Sequence, residues 1–448
     1  TVRVDNRIKD INPGVNSHSI ADHTQSNWNG LAGDLSLQAL PLVFMDQVSL
    51  FPDVEHKMVR AEIEIQNLSG ESRDCSINLQ SIEKGTGEKM EQVVHEFNLE
   101  ADQKARTIKL SYPMGESPAL WDEFHPNLYT MHLKLTSGKG TDTRQLQFGM
   151  REFKTEGKMF TINGRPLFLR GTLECAIFPK TGYPPTGTEY WKKILKAAKA
   201  FGLNHIRFHS WCPPEAAFIA ADELGMYLQV ECSSWANQGS TLGDGQPIDA
   251  WLYDEAESIL ASYGNHPSFC MMAYGNEPGG SRQFQYLETF IKHFREEDPR
   301  RVYTSGAGWP YLESADFFSD PSARIQRWGE GLNSIINKQA PQTTFDFRDI
   351  VDQVAMPYVS HEIGQWCVYP NFREIEKYDG VLKARNFEIF RETLEKSGLG
   401  QHADSFLRAS GKLQALCYKA DIEAALRTPS LAGFQLLDLH DFPGQGTA

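Results

Sequence analysis

The spacing of apolar positions changes twice along the chain. Residues 1–40 have no steady period; polar residues and glycines dominate, with a dense polar stretch from Asn16 to Gly30. From about residue 41 to 149, apolar and polar positions alternate. Ala61-Glu62-Ile63-Glu64-Ile65-Gln66 and Met131-His132-Leu133-Lys134-Leu135 are the clearest runs. Alternation of period two marks half-buried strands. Asn67-Leu68-Ser69-Gly70 and Ser137-Gly138-Lys139-Gly140 punctuate them as turns. Short strands with no helical period, over residues 41–150, predict an immunoglobulin-like β-sandwich.

After Arg151 short apolar runs alternate with helical periods, the pattern of βα units around a parallel sheet. Strands are expected over 167–171, 205–211, 226–231, 268–277, 301–306, 315–319, 358–362 and 431–441. Helices are expected over 189–201, 215–224, 248–263, 283–297, 384–396 and 403–426. Pro213-Pro214 precedes the second helix, a position where proline costs nothing. Eight strands over residues 151–448 predict a (β/α)8 TIM barrel, with no helix after the last strand.

Composition narrows the class. The 448 residues are 40% hydrophobic and 11% aromatic, enough for large cores and unlike a disordered chain. No apolar run is long enough to span a membrane, and residues 1–10 are polar and charged, without a signal peptide. The net charge of −14, with no extended basic tract, argues against nucleic acid or an anionic membrane as partner. The seven cysteines show no paired zinc spacing and read as small buried hydrophobes. His18, Asp22 and His23 raise a metal site, but without matched spacing they read as a loop bonding across a domain junction.

Two stretches carry the chemistry. The run from Ser268 to Ala273 leads into Asn276 and Glu277, and Pro278-Gly279-Gly280 then breaks the chain. Tyr358-Val359-Ser360-His361-Glu362 does the same further on. Polar residues at the C-terminal ends of barrel strands stand where such barrels hold their sites. Two glutamates there fit glycoside cleavage, with Glu277 as general acid/base and Glu362 as nucleophile. Asn276 is expected to bond a sugar 2-hydroxyl. Alternation places Arg207, His209 and Trp211 on one face of the second strand, and Glu231 and Trp235 on one face of the third. Arg207 and Glu231 are either a buried ion pair or substrate contacts. Trp235 and Trp366 are candidates for stacking on sugars, Asp438 and His440 for binding hydroxyls. His361 alternates away from Glu362 and is expected in the core or just behind the residues that touch the sugar.

At these residues the chain resembles glycoside hydrolase family 2, which includes β-galactosidases, β-glucuronidases and β-mannosidases. Leu120-Trp121-Asp122-Glu123-Phe124-His125-Pro126-Asn127-Leu128-Tyr129 resembles its sandwich signature. Phe148-Gly149-Met150-Arg151-Glu152-Phe153 and Ile162-Asn163-Gly164-Arg165-Pro166-Leu167-Phe168-Leu169-Arg170-Gly171 resemble its approach to the barrel. Gly264-Asn265-His266-Pro267-Ser268 followed by Gly275-Asn276-Glu277 is the strongest match. The resemblance implies that residues 1–40 are the tail of a jelly-roll domain whose greater part is absent. It implies an exo-acting retaining β-glycosidase, β-galactosidase-like, acting on carbohydrate outside the cytoplasm or in the periplasm. Cys175 stands where the family's β-galactosidases carry a histidine, and Trp235 and Asn237 where they carry magnesium ligands, so no catalytic metal or other cofactor is expected. An endo-glycanase of the same clan and a carbohydrate-binding pseudoenzyme are the competing readings, and homo-oligomerisation is left open.

Overall fold

The computed structural model describes residues 2, 4, 10–18, 26–28, 30–33, 35–326, 329–340, 342–364 and 366–440. Asp22 and His23 of the N-terminal polar stretch, and Asp441 of the eighth expected strand, lie outside them.

The alternating stretch folds as a sandwich of two antiparallel sheets. Val43–Asp53, Met58–Asn67 and Ala105–Pro113 form one; Val93–Leu99, Arg73–Glu83, Tyr129–Ser137 and Gly140–Phe148 form the other. The period-two pattern is the cause. Ala61, Ile63 and Ile65 are fully buried, as are Ile77 and Leu79 opposite, while the glutamates between the first set face out. Tyr112 ties the sheets together, donating from its hydroxyl to Glu91 O and accepting from Ser81 N.

The second stretch forms an eight-stranded parallel barrel. Its strands are β1 (Leu169–Glu174), β2 (His205–Phe208), β3 (Tyr227–Glu231), β4 (Phe269–Ala273), β5 (Val302–Thr304), β6 (Phe318–Asp320), β7 (Tyr358–Ile363) and β8 (Leu431–Leu436). β1 pairs with β2 and β8, and the ladder runs on through β5 on one side and β6 on the other. The β5–β6 seam is held by bonds outside the ladder: Thr304 Oγ1 to Phe317 O at 2.8 Å and Gly308 N to Ser319 O at 3.2 Å. The outer helices are α1 (Thr188–Ala200), α2 (Glu215–Leu224), α3 (Pro247–Tyr263), α4 (Gln283–Glu297), α5 (Arg385–Lys396) and α6 (Ala403–Arg427). α2 stops where expected because Gly225 takes the left-handed conformation at φ 70°. Several expected strands overrun. β2 ends at Phe208 because Ser210 turns left-handed at φ 51°. Leu167 leaves the first expected strand and, within Arg165–Leu167, joins a small antiparallel sheet with Phe153–Glu156 and Met159–Ile162.

The sandwich docks at the N-terminal ends of the barrel strands through the motifs singled out above. Trp121 is fully buried, donates to Asp222 O and meets Tyr227 edge-on at 5.7 Å between centroids. Asp222 accepts from Ser268 Oγ at 2.6 Å, and its other oxygen lies 2.6 Å from His266 Nδ1. Asn265 exchanges bonds with Leu50 N and Val48 O of the sandwich. Arg151 donates to the carbonyls of Pro267, Phe269 and Arg300. Arg300 reaches Leu50 O and shares Asp298 with Arg301. Burial pushes the Asp298 carboxyl up, but Arg301 and Arg300 outweigh it and hold the group at about 2. The Gly264–Ser268 motif therefore belongs to the base of the barrel, at the opposite end from Glu277.

Candidate active site

Glu277 and Glu362 meet at the C-terminal mouth. Each offers an oxygen, and His361 a nitrogen, within 4.8 Å of one another. Glu277 follows β4; its amide donates to Ala307 O, and Gly308 presses on its side chain. A Cβ on Gly308, whose φ is +103°, would come within 3.1 Å of Glu277 Cγ. Glu362 lies inside β7 at a register irregularity against β8, with a left-handed φ of 52°. That conformation costs a non-glycine residue roughly 1–3 kcal/mol and persists only where its surroundings impose it. It also breaks strand alternation. His361 is buried, as expected, but its Nε2 lies 3.2 Å from Glu362 Oε1 instead of pointing away.

Arg207 organises the floor. Its Nε and Nη2 grip Glu231 at 2.6 and 3.2 Å, and Nη2 donates to Asn276 Oδ1 at 2.6 Å. Nη1 lies 3.2 Å from Glu362 Oε1 and 3.3 Å from His361 Nδ1. An arginine has only donors, so Asn276 must present its oxygen to it and His361 must accept at Nδ1. The proton of the neutral His361 ring then sits on Nε2, facing Glu362. Arg207 and Glu231 are both fully sealed from solvent, so they shape the site from beneath and leave no surface for a sugar. Below them Gln229 donates to Glu231 Oε1, and Gln435 bridges Gln229 to His205.

The remaining expected residues divide. His209 Nε2 is 3.4 Å from Glu362 Oε1. Trp235 Nε1 donates to Glu277 Oε2 at 2.8 Å, and Asn237 Nδ2 reaches the same oxygen at 3.2 Å. Asn276 is buried with its Nδ2 unpartnered. Trp211 departs from the expectation: the left-handed Ser210 rotates it out of the Arg207 face, and it packs among Phe178, Phe208 and Trp28 on the helix side. Trp366 gives its indole N–H to Asp421 of α6 at 3.1 Å and packs against the apolar cluster beneath β7 and β8. Asp438 lies beside Cys175 just past β8, and His440 Nδ1 stands 3.7 Å from the buried Glu174.

One contributor escaped the sequence reading, and another was read only as a bonding loop. Residues 12–18 cross the mouth as a strap: Trp235 N donates to Pro13 O at 2.7 Å, and Val15 N to Gln238 O at 2.8 Å. Gly14 sits so close that a Cβ would fall 2.0 Å from Trp235 O. The strap delivers His18, whose ring stacks on His209 at 4.2 Å. This is the junction-crossing loop that the polar stretch suggested, with a histidine brought to the site. Arg324, in the loop after β6, donates from Nη1 to Glu362 O at 2.9 Å. No periodicity or motif marks an isolated arginine of this kind.

The two carboxyls are driven apart in acidity. Burial and the neighbouring Glu362 charge push Glu277 above the ordinary glutamate range, against the pull of the Trp235 and Asn237 hydrogen bonds. Burial pushes Glu362 up as well, but His361, His209 and their hydrogen bonds to it prevail and hold it well below that range. The carboxyl that holds its proton more tightly faces the one that gives it up more readily, the division of labour that an acid and a nucleophile need. Glu277, His361 and Glu362 can also be viewed as cation ligands, but Arg207 already supplies positive charge beside Glu362.

Residues 43–151 match the family described as glycosyl hydrolases family 2, and residues 153–342 match the TIM barrel domain of that family. A β-galactosidase large subunit from Latilactobacillus sakei is 21% identical over 342 residues, covering 73% of this chain and 52% of that protein. A putative β-glucuronidase from Formosa agariphila is 28% identical over 260 residues, covering 56% and 29%. The chain thus spans about half, or less, of the length of these relatives. Among solved structures, a family 2 β-galacturonidase from Eisenbergiella tayi bound to galacturonate superposes with a TM-score of 0.64 at 16% identity, covering 89% of this chain and 65% of that one. A Parabacteroides merdae β-glucuronidase gives 0.64 at 18% identity, covering 97% and 52%.

Proposed function

The chain belongs to glycosyl hydrolases family 2, and on that premise we propose that it is an exo-acting β-glycoside hydrolase that retains anomeric configuration. The observation that carries this reading is the approach of Glu277 and Glu362 oxygens to within 4.8 Å. Retaining enzymes hold their carboxyls about 5–5.5 Å apart, whereas inverting ones leave roughly 6.5–9.5 Å for a water.

In the first half of the reaction the Glu362 carboxylate attacks the anomeric carbon while Glu277 passes its proton to the leaving oxygen. Esterification removes the Glu362 charge, one of the causes that raise the Glu277 pKa. Glu277 then becomes a carboxylate suited to take a proton from water. That water attacks the anomeric carbon and frees Glu362. The Nδ2 of Asn276, buried without a hydrogen-bond partner among the described residues, donates in this reading to the sugar 2-hydroxyl. The relatives are named for galactosides, glucuronides and galacturonides, and a terminal β-linked sugar of that kind is the substrate class we assign. We read residues 1–40 as the tail of a jelly roll, 41–150 as the supporting sandwich and 151–448 as the catalytic barrel.

Glu277→Gln tests the reading. Turnover of an alkyl β-glycoside should fall by about 10²–10⁴-fold, the range that general acid catalysis supplies. An aryl β-glycoside with a strongly acidic leaving group should keep its first step, because it needs no proton. Equal losses on both substrates would remove Glu277 from the acid role.

A further inference from the structure

The sugar-cleavage reading leaves one cation at the site without a task. Arg324 is 7% exposed, and its guanidinium faces Glu362, Asp421, Glu277 and Asp320. Its loop is built to hold it there. Asp421 of α6 accepts from Ile325 N at 2.7 Å, Ser360 Oγ of β7 donates to Ala323 O at 2.6 Å, and Asp320 accepts from Ser322 N at 2.8 Å. Three elements thus fix the loop on either side of one arginine.

The contact it makes is specific. Nη1 donates at 2.9 Å to the main-chain carbonyl of Glu362, the residue with the left-handed backbone. The ladder between β7 and β8 shifts register across His361 and Glu362, so regular strand pairing does not fix this peptide. A strained peptide without regular pairing relaxes unless something outside its strand holds it. Resting on the assignment of Glu362 as nucleophile, we propose that Arg324 is its positioning residue. The guanidinium pins the Glu362 peptide in the left-handed conformation and thereby aims the carboxylate, without touching the sugar.

Glu362 is surrounded by Arg207 from β2 and His209 just past it, His361 from β7, Glu277 after β4, Arg324 after β6, His18 from the strap and Cys175 after β1. Arg207 and Arg324 are the permanent cations in that set. Loss of Arg324 therefore both frees the peptide and weakens the field that keeps Glu362 ionised. The second effect moves the acidic limb of the pH profile upward, which a merely structural residue would not do.

The test compares Arg324→Gln and Arg324→Lys with the parent chain on a panel of aryl β-galactosides, β-glucuronides and β-galacturonides. It adds a carboxyl-carbon NMR titration of Glu362, assigned with Glu362→Gln. For Arg324→Gln, kcat should fall by about a hundredfold, the scale of a small misplacement of a reacting group. KM should stay within about threefold, because ground-state binding is untouched. The Glu362 titration and the acidic limb should both move up. Arg324→Lys keeps the charge but not the planar fork, so it should restore the titration and only part of kcat. A kcat within about threefold of the parent in both variants, with an unmoved Glu362 titration, would overturn the proposal. If Arg324→Gln fails to fold, Arg324→Lys decides alone, a parental kcat overturning the assignment and a loss above about tenfold supporting it. If the parent cleaves nothing in the panel, the glycosidase reading fails instead, and the titration still reports whether Arg324 governs Glu362.

Discussion

The two ends of the barrel are built from the same materials, buried arginines set against carboxylates, and they are finished differently. At the lower end Arg151 gives its donors to three carbonyls, and Arg300 and Arg301 close on Asp298. The sandwich covers this end, and the left-handed residue nearby, Asn163 at φ 52°, exchanges hydrogen bonds with Glu152. At the upper end Arg207 is as deeply buried, and among the described residues Nδ2 of its partner Asn276 has no hydrogen-bond partner; Arg324 Nε there and Arg301 Nε at the lower end are likewise unpartnered. Three of the five left-handed non-glycine residues among the described residues, Ala176, Ser210 and Glu362, also gather at the upper end. The lower cluster joins sandwich to barrel and stabilises. The upper one, with an open amide at the mouth and strained backbone, is poised to bind.

Substitutions at the two ends should therefore fail in opposite ways. The largest effect belongs to Glu362→Ala, which should lower kcat by about 10⁴-fold or more, in the range seen when a nucleophile is removed. Its melting temperature should hold or rise, because a strained, crowded site is relieved. A large loss of stability with the same loss of rate would make the upper cluster structural. Asp298→Asn should do the reverse. It strands Arg300 and Arg301 and should cost about 3–5 kcal/mol in urea unfolding. The fraction that stays folded should keep its kcat, and a matching loss of kcat would show that the ends are not independent.

Acidity separates the ends further. Asp298 is depressed to about 2, so its stabilisation is complete above the ordinary aspartate range near 3.9 and is lost as pH falls toward 2. Activity should follow the other pair. The active form needs Glu362 ionised and Glu277 protonated, so kcat/KM should be bell-shaped. Its acidic limb should lie below the ordinary glutamate value and its basic limb above it. An acidic limb that coincides with unfolding would show that one end was being read through the other. The smallest effect is expected from Trp235→Phe. It removes a hydrogen bond that favours the Glu277 carboxylate, so the basic limb should shift upward, with less than about a tenfold change in rate. A downward shift would mean that the indole acts on Glu277 in some other way.

What the sequence revealed follows from how locally each feature is encoded. α2 and α4 match their expected bounds because amphipathic period and turn residues are local. Glu277 and Glu362 were legible because apolar strands ran into them. Trp211 and His361 were misread for one reason: the alternation argument assumes regular backbone, and Ser210 and Glu362 are left-handed. Arg324 was invisible, and the strap legible only as a bonding loop, because their roles depend on contacts across the fold, Arg324 to Glu362 and Gly14 to Trp235. The Gly264–Ser268 motif was read correctly as a family mark, but its work lies at the docking end.

The most direct measurement is the anomeric configuration of the first product, followed by proton NMR during cleavage of an aryl β-glycoside before mutarotation. Glu277 and Glu362 working as acid and nucleophile at this short range predict that the β-anomer appears first. The α-anomer appearing first would contradict double displacement and require a water between the two carboxyls.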